Sequence, residues 1–124
     1  MEAGDCWLMM APSSREPQPH LWVLLVDPQS DNRVLIVSIT TLRRNCDQTV
    51  ILQPGDHPFV RHASSVFYGD SRIIDASRLE AEIAAGSAPQ EKLRAQLLDE
   101  LRIGLTCSMY TSKKVIEFYR ACSR

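Results

Sequence analysis

The sequence predicts one α+β domain, mainly β, in which a small barrel of short strands is followed by appended helices. Three observations indicate this class. The 124 residues are enough for one hydrophobic core and too few for two ordinary domains. Short apolar runs between turn residues fill the chain up to residue 74, whereas apolar residues recur three or four positions apart from residue 75 onward. We therefore expect a single domain over 1–124, with the barrel over 4–74 and the helical part over 75–122.

The composition is that of a globular protein, and its overall charge does not indicate a particular binding partner. Hydrophobic residues make up 44% of the chain and charged residues 23%, which argues against general disorder. The formal net charge is -1, so any contact with nucleic acid must use a local basic patch. No apolar run approaches the roughly 18 residues that span a bilayer, and the first residues lack the basic region of a secretory signal. We expect a cytoplasmic protein without membrane contact.

The four cysteines are spread along the chain without a C-x-x-C pair. This spacing favours free thiols over disulfides or a zinc site. We therefore expect no metal and no other cofactor. The cysteines are Cys6, Cys46, Cys107 and Cys122.

Six short strands are predicted from apolar runs and the turn residues between them. The first run, at 6–10, ends before Pro12, and the prolines after it predict a loop over 13–19. The later strands are predicted at 21–26, 34–39, 49–52, 65–68 and 72–74. The second and third strands are continuous apolar runs and should form a buried hairpin. The expected interior positions are Trp22, Leu24, Val34, Ile36 and Ile51.

A first helix is predicted directly after the strands. Asp75 or Ser77 can cap it, Leu79 and Ile83 are its packing residues, and Gly86 is a suitable stop. Its short length suits a helix that is appended to the barrel.

Two further helices are predicted in the last third of the chain. The second should open with a capping box at 87–90, with proline in its first turn. Its apolar stripe is expected to cover the barrel or, alternatively, to form a dimer seam. The stripe consists of Leu93, Leu97, Leu101 and Leu105. The third helix is predicted to start after Thr111 or Ser112.

Five segments carry a likeness through their order and spacing. They are a Gly-Asp strand at 4–8, an apolar strand at 22–26, a strand ending in two threonines at 34–41, a Ser-Ser-Val element at 64–66 and an Asp-x-x-x-Leu helix entry at 75–79. Together they resemble motifs of the MazF/PemK toxins, small endoribonucleases of toxin–antitoxin pairs. The likeness covers about residues 4–105. It departs at His20-Leu21, where the family has Arg-Pro, and at Ser38, where the family has Pro.

The resemblance implies a small SH3-like barrel of the MazF/PemK/CcdB type and a sequence-selective, metal-independent endoribonuclease. Such an enzyme cleaves single-stranded RNA to 2′,3′-cyclic phosphate and 5′-OH ends. The family also implies a homodimer whose interface groove binds RNA and, in competition, the tail of an antitoxin protein. His20 stands at the place of the family's catalytic arginine and Thr40 at that of its threonine, so these two are the predicted catalytic residues.

The side chains supply the groups that such a reaction needs. Metal-free RNA cleavage requires a base for the 2′-OH proton, cations or donors for the phosphorane charge, and an acid for the 5′-oxygen. An imidazole can accept or donate a proton near neutral pH, which suits His20. Thr40 can donate a hydrogen bond to the phosphate, and guanidinium groups hold phosphate oxygens in pairs. The residues predicted to bind substrate are Arg15, Thr41, Arg43, Arg44, Arg61, His62 and Ser65.

Alternatives stay open at this point. The segment 53–62 contains His57 and His62, which could act as an acid/base pair, and Asp56 with His57 could begin a metal site. The same segment is equally a turn with Phe59 as an aromatic anchor in the barrel. The domain could also be a catalytically degenerate barrel that only binds a protein or a nucleic acid. We expect the aromatic residues mostly in the core rather than stacked on bases: Trp7, Trp22, Phe59, Phe67 and Tyr68.

Overall fold

A single antiparallel sheet, strongly curled into a half-barrel, dominates the computed structural model, which describes residues 1–10 and 19–122. The predicted class, mainly β with helices, is confirmed. The strand order is β4-β5-β3-β2-β1-β6. The strands are β1 (Cys6–Met9), β2 (His20–Leu24), β3 (Arg33–Thr41), β4 (Ile51–Leu52), β5 (Ser64–Asp75) and β6 (Ala88–Gln90). The helices are α1 (Ala76–Ala84), α2 (Ala95–Cys107) and α3 (Lys113–Ala121).

Both faces of the central strands are buried, which explains why these strands are continuous apolar runs. Successive side chains of a strand point to opposite faces. On one face Leu21 and Val23 belong to a core that includes the leucines of α2. On the other face Trp22 and Leu24 belong to a second core with Leu79 of α1. Helices therefore cover both sides of the sheet centre.

The predicted interior positions are buried with one exception. Four of them have no exposed surface: Trp22, Leu24, Val34 and Ile36. Ile51 is only half-buried, because β4 is a two-residue strand at the edge of the sheet. Its neighbour Leu52 takes the buried position instead.

Strand β5 joins two strands that the sequence predicts separately. Its pairing with β3 shifts between Ser38, which faces Phe67, and Ile36, which faces Arg72. Residues 68–71 therefore lie opposite Val37 alone, and a bulge of this kind bends a strand sharply. The pairing register does shift near Gly69, where the sequence predicts a break between two strands. The strand itself continues through this point, so the prediction of two separate strands is wrong.

The prediction that residues 87–90 open a helix is wrong. Residues 88–90 form β6, which pairs with β1 at the sheet edge, and α2 begins at Ala95. The free edge of β1 is the physical reason, because pairing with β6 satisfies the backbone groups of this edge. Just before β1, the Gly4 carbonyl accepts from the Leu93 amide at 2.9 Å. Proline is tolerated at 89 because β6 is an edge strand.

The α2 stripe covers the larger core, as predicted. The four leucines are buried, although Leu93 precedes the helix. The Tyr68 hydroxyl donates to the Leu101 carbonyl at 2.8 Å, and burial raises the pKa of this phenol. A Cβ at Gly104 would collide with the Tyr68 hydroxyl, so glycine permits this close approach. At α3, the Ser112 hydroxyl accepts from the Val115 amide at 3.2 Å and caps the helix, which therefore starts after Ser112, one of the two predicted starts.

The cysteines are free thiols, and Cys6 is the most buried of them. Burial raises the pKa of the Cys6 thiol to about 12, and the thiol donates to the Gly4 carbonyl at 3.3 Å. Of the helices in the described part of the chain, none is both long enough and apolar enough to cross a membrane.

Candidate nucleic-acid site

A cavity of about 400 Å³ opens where β2 begins and β3 ends, beside residues 57–62. Six residues with predicted catalytic or binding roles line it: His20, Thr40, Thr41, Arg43, Arg61 and His62. The remaining lining residues are Pro19, Ile39, Pro58, Phe59 and Ser64. We call this space the His20 cavity.

Continuing the β2–β3 register by one residue brings His20 and Thr40 opposite each other. The last pair of the register is Leu21 with Ile39; His20 precedes Leu21 at the start of β2, and Thr40 follows Ile39 near the end of β3. Directly opposite residues of an antiparallel pair share a face, with Cβ atoms about 4.5–5.5 Å apart. Both side chains are half-buried, which leaves part of each accessible in the cavity.

His62 lies just before β5 and is held in the cavity by hydrogen bonds. Its Nε2 atom lies 2.9 Å from the Thr41 hydroxyl oxygen, and its carbonyl accepts from the Ser64 hydroxyl at 2.9 Å. The Leu42 amide donates to the Ala63 carbonyl at 3.0 Å, which ties the two chain segments together here. The second imidazole thus sits on a fixed backbone next to the end of β3.

The His20 cavity carries an excess of positive charge. Arg43 and Arg61 are exposed and line it, and none of its described lining residues is acidic. Within the described residues neither arginine makes an ion pair. Guanidinium groups without a carboxylate partner are available for phosphate oxygens.

Residues 53–62, which we call the His57 loop, are ordered by backbone hydrogen bonds. The Asp56 amide donates to the Gln53 carbonyl at 3.0 Å, and Gly55 has a φ of 100°, as a Pro-Gly type II turn requires. The Asp56 carboxylate accepts from the Gln53 amide at 2.7 Å. The segment therefore forms a turn over 53–56, in which the Asp56 carboxylate bonds back to Gln53.

His57 is a buried structural residue. The Phe59 amide donates to its Nδ1 atom at 3.0 Å, so the ring proton lies on Nε2, which donates to the Glu91 carbonyl at 2.5 Å. The side chain is 2% exposed. With both ring nitrogens engaged, it is unsuited to the acid/base pairing with His62 that the sequence left open.

A second cavity of about 420 Å³ shares Pro58 with the first, and three of its four charged lining residues make ion pairs. We call it the His57 cavity. The Arg94 guanidinium lies 3.3 Å from the Asp56 carboxylate, and the Lys92 ammonium contacts the Glu2 carboxylate. The complete lining is Gly55, Asp56, His57, Pro58, Val60, Glu91, Lys92 and Arg94.

No metal centre forms from the described residues. Among them, no group of three or more His, Cys, Asp or Glu side chains could hold an ion. Asp56 and His57 are engaged with Arg94 and with backbone groups, so the Asp56–His57 metal alternative does not fit these contacts.

Two of the predicted substrate-binding residues do not line the cavity, and a third, Arg15, falls outside the described residues. Arg44 is exposed and does not line the His20 cavity. Ser65 is 1% exposed and its hydroxyl donates to the Asp47 carbonyl, so it supports the loop rather than facing the cavity.

Sequence reasoning missed Asp47, which anchors the loop that carries Arg43. Its carboxylate accepts from the Thr49 amide at 2.9 Å, the Thr49 hydroxyl at 2.6 Å and the Ser108 hydroxyl at 2.6 Å. The side chain is buried, and these donors satisfy it. The Asp-x-Thr spacing at 47–49 is a local signal for a turn. The sequence contains no signal for the contact between Asp47 and Ser108, because the two residues are far apart in the chain.

The prediction that the aromatic residues lie in the core holds for three of the five. Trp7, Trp22 and Tyr68 are buried, whereas Phe59 is 38% exposed and Phe67 is 46% exposed. Val60, 4% exposed, anchors the His57 loop in place of Phe59.

Comparison with known proteins assigns no family. No protein-family model matches the chain, and no curated protein matches it. Function is therefore inferred from the geometry of the cavities.

Proposed function

We propose that the chain is a MazF/PemK-like toxin with an SH3-like barrel, which binds single-stranded RNA in the His20 cavity and cleaves it without a metal ion. One observation carries this proposal. The cavity brings together two imidazoles, two guanidinium groups and hydroxyl groups, and no acidic residue stands among its described lining. These are the groups that general acid–base cleavage of a phosphodiester requires.

The reaction uses the two imidazoles in opposite protonation states. His20 accepts the proton of the 2′-hydroxyl while the 2′-oxygen attacks phosphorus, and the bond from phosphorus to the 5′-oxygen breaks. Protonated His62 gives the proton of its Nδ1 atom to the 5′-oxygen, while its Nε2–H donates to the Thr41 hydroxyl, which orients the ring. The products are a 2′,3′-cyclic phosphate and a 5′-OH end.

The remaining groups stabilise charge on the phosphoryl oxygens. Arg43 and Arg61 offer the guanidinium groups, and Thr40 offers a hydroxyl donor opposite His20. Such preorganised donors act where negative charge develops in the transition state.

The test is a cleavage assay on a mixed-sequence RNA with wild type and with His20→Ala, in the presence of EDTA. We expect wild type to produce 5′-OH and 2′,3′-cyclic phosphate ends, and the matching DNA to stay intact because it lacks the 2′-hydroxyl. RNA that is bound but stays intact at high protein concentration would identify the degenerate binding module instead. One observation favours this binding-module alternative: the chain has His20 at the position where the family has its catalytic arginine.

A homodimer and an antitoxin partner complete the proposal, on the strength of the family resemblance. Light scattering after size-exclusion chromatography measures the oligomeric state. A monomer that cleaves RNA would remove the dimer from the proposal and leave the reaction standing.

A further inference from the structure

Phe59 is an exposed aromatic ring on the wall of a cationic cavity. Phe59 is one of the residues that line the His20 cavity, together with Arg43 and Arg61. A phenylalanine that is 38% exposed gives up much of the stabilisation that burial of its ring would provide.

The backbone of Phe59 is fixed before any ligand arrives. The His57 side chain accepts its amide hydrogen at 3.0 Å, and the Val60 amide donates to the His57 carbonyl at 2.9 Å, closing a turn around residues 57–60. Val60 is buried, and the His57 ring is bonded to the Glu91 carbonyl just before α2. A ring on a fixed turn loses little conformational entropy when a ligand stacks on it.

The neighbours of the ring match the parts of a nucleotide. Single-stranded RNA is bound by aromatic faces that stack on bases and by cations that hold the phosphates. Phe59 supplies an aromatic face, and Arg43 and Arg61 supply the cations within the same cavity of about 400 Å³. The apolar side chains of Pro19, Ile39 and Pro58 add surface suited to a base.

We propose that Phe59 is the stacking platform for one nucleobase, next to the phosphate held by Arg43 and Arg61, and that it contributes to the base preference of the site. This inference rests on the proposed RNA-binding function. It adds a specificity-determining residue that takes no part in proton transfer.

The chain offers a matched control in Phe67. This ring is also exposed, at 46%, but it is not among the residues that line the His20 cavity. A Cβ placed on Gly69 would lie 3.4 Å from the Phe67 ring and 3.6 Å from Tyr110, so the Phe67 ring lies beside these residues instead. Phe67→Ala removes an exposed ring of the same kind without touching the cavity.

The experiment measures binding of 2′-fluoro RNA, which has no 2′-hydroxyl nucleophile, to wild type, Phe59→Ala, Phe59→Leu, Phe59→Trp and Phe67→Ala. A series of oligonucleotides carries a single abasic site at each position in turn. Loss of one stacking interaction corresponds to a roughly 5- to 150-fold weaker affinity. We expect this loss in Phe59→Ala, a smaller loss in Phe59→Leu, and wild-type affinity in Phe59→Trp and Phe67→Ala.

The abasic series identifies the partner of the ring. At one position the abasic site should weaken binding to wild type by a similar factor, and the same abasic RNA should bind Phe59→Ala no more weakly than the intact RNA does. Equal abasic penalties in wild type and Phe59→Ala at every position, or unchanged affinity in Phe59→Ala, would overturn the inference alone. Wild type that binds no RNA would overturn the proposed function and this inference together.

Phe59→Leu and Phe59→Trp keep the test decisive if Phe59→Ala does not fold. Leucine retains apolar volume without a π face, whereas tryptophan retains the face. Equal affinity of these two variants would contradict stacking whatever the state of Phe59→Ala.

Discussion

The two cavities that Pro58 lines contain similar residue types and differ in how their charges are satisfied. In the His57 cavity, Asp56 pairs with Arg94, and the His57 ring is bonded to two backbone groups. In the His20 cavity, Arg43 and Arg61 meet no acidic residue among the described lining. The first cavity therefore neutralises its own charge, while the second is suited to an anion from outside the chain.

This difference teaches that residue type alone does not identify a site. Histidine and arginine occur in both cavities, and the sequence offered His57 and His62 as equals. Burial and hydrogen-bond partners separate them, because a side chain whose polar atoms are all engaged within the fold has none left for a substrate.

The largest expected effect is on catalysis in the His20 cavity. His20→Ala should lower RNA cleavage by about 10²-fold or more, the usual scale for loss of a general acid or base. The thermal midpoint should stay close to that of wild type, because His20 is only half-buried. Initial rates at saturating RNA measure the first effect, and calorimetry the second. Full activity in this variant would reject His20 as the base. The His20 cavity would then not differ from the His57 cavity by having a histidine that acts in catalysis.

The equivalent change in the His57 cavity should affect stability instead. His57→Ala leaves the Phe59 amide and the Glu91 carbonyl without their partner, and each unsatisfied group costs about 1–3 kcal/mol. We expect the free energy of unfolding to fall by roughly 2–4 kcal/mol. Urea denaturation measures it, with the exposed His62→Ala as a matched control that should change stability by less than about 1 kcal/mol. Equal stability of the two variants would contradict the structural role of His57.

A comparison of one arginine from each cavity sharpens the electrostatic difference. Arg61→Ala should reduce the slope of log affinity against log salt by about 0.7, the value for one phosphate contact on a single strand. Arg94→Ala should leave this slope unchanged, because Arg94 is paired with Asp56. Binding isotherms at several salt concentrations provide the measurement. A slope that changes in Arg94→Ala and stays constant in Arg61→Ala would assign the RNA to the other cavity.

The smallest expected effect concerns the Lys92–Glu2 pair at the His57 cavity. The hydrogen bond from Lys92 to the Glu2 carboxylate raises the pKa of the Lys92 ammonium above its ordinary value of 10.5. A raised pKa favours the folded state while the lysine is protonated, so this contribution is present below pH 10.5 and is lost as the pH rises through the pKa of the folded state. The urea midpoint of wild type should slightly exceed that of Glu2→Gln at pH 8, and the difference should vanish at higher pH. A difference that persists at high pH would require another role for Glu2.

Local patterns predicted the elements well where the local signal and the tertiary contacts agree. Examples are the apolar runs of β2 and β3, the start of α3 after Ser112 and the leucine stripe of α2. The prediction failed at 87–90, where a proline and a capping pattern favour a helix, but the unpaired edge of β1 recruits the segment as β6. Tertiary hydrogen bonding overrides a weak local preference in such cases.

The sequence by itself determined the composition of the candidate site, because imidazole, guanidinium and hydroxyl groups have the same chemistry wherever they lie. It also determined that the start of β2 lies close to the end of β3, since the two strands of a hairpin are antiparallel. Only the tertiary structure decided which histidine is accessible. His57 meets Glu91, 34 positions away, and His62 meets Thr41, 21 positions away. Contacts over such separations leave no trace in local spacing, and they decide whether a polar side chain is satisfied within the fold or available to a substrate.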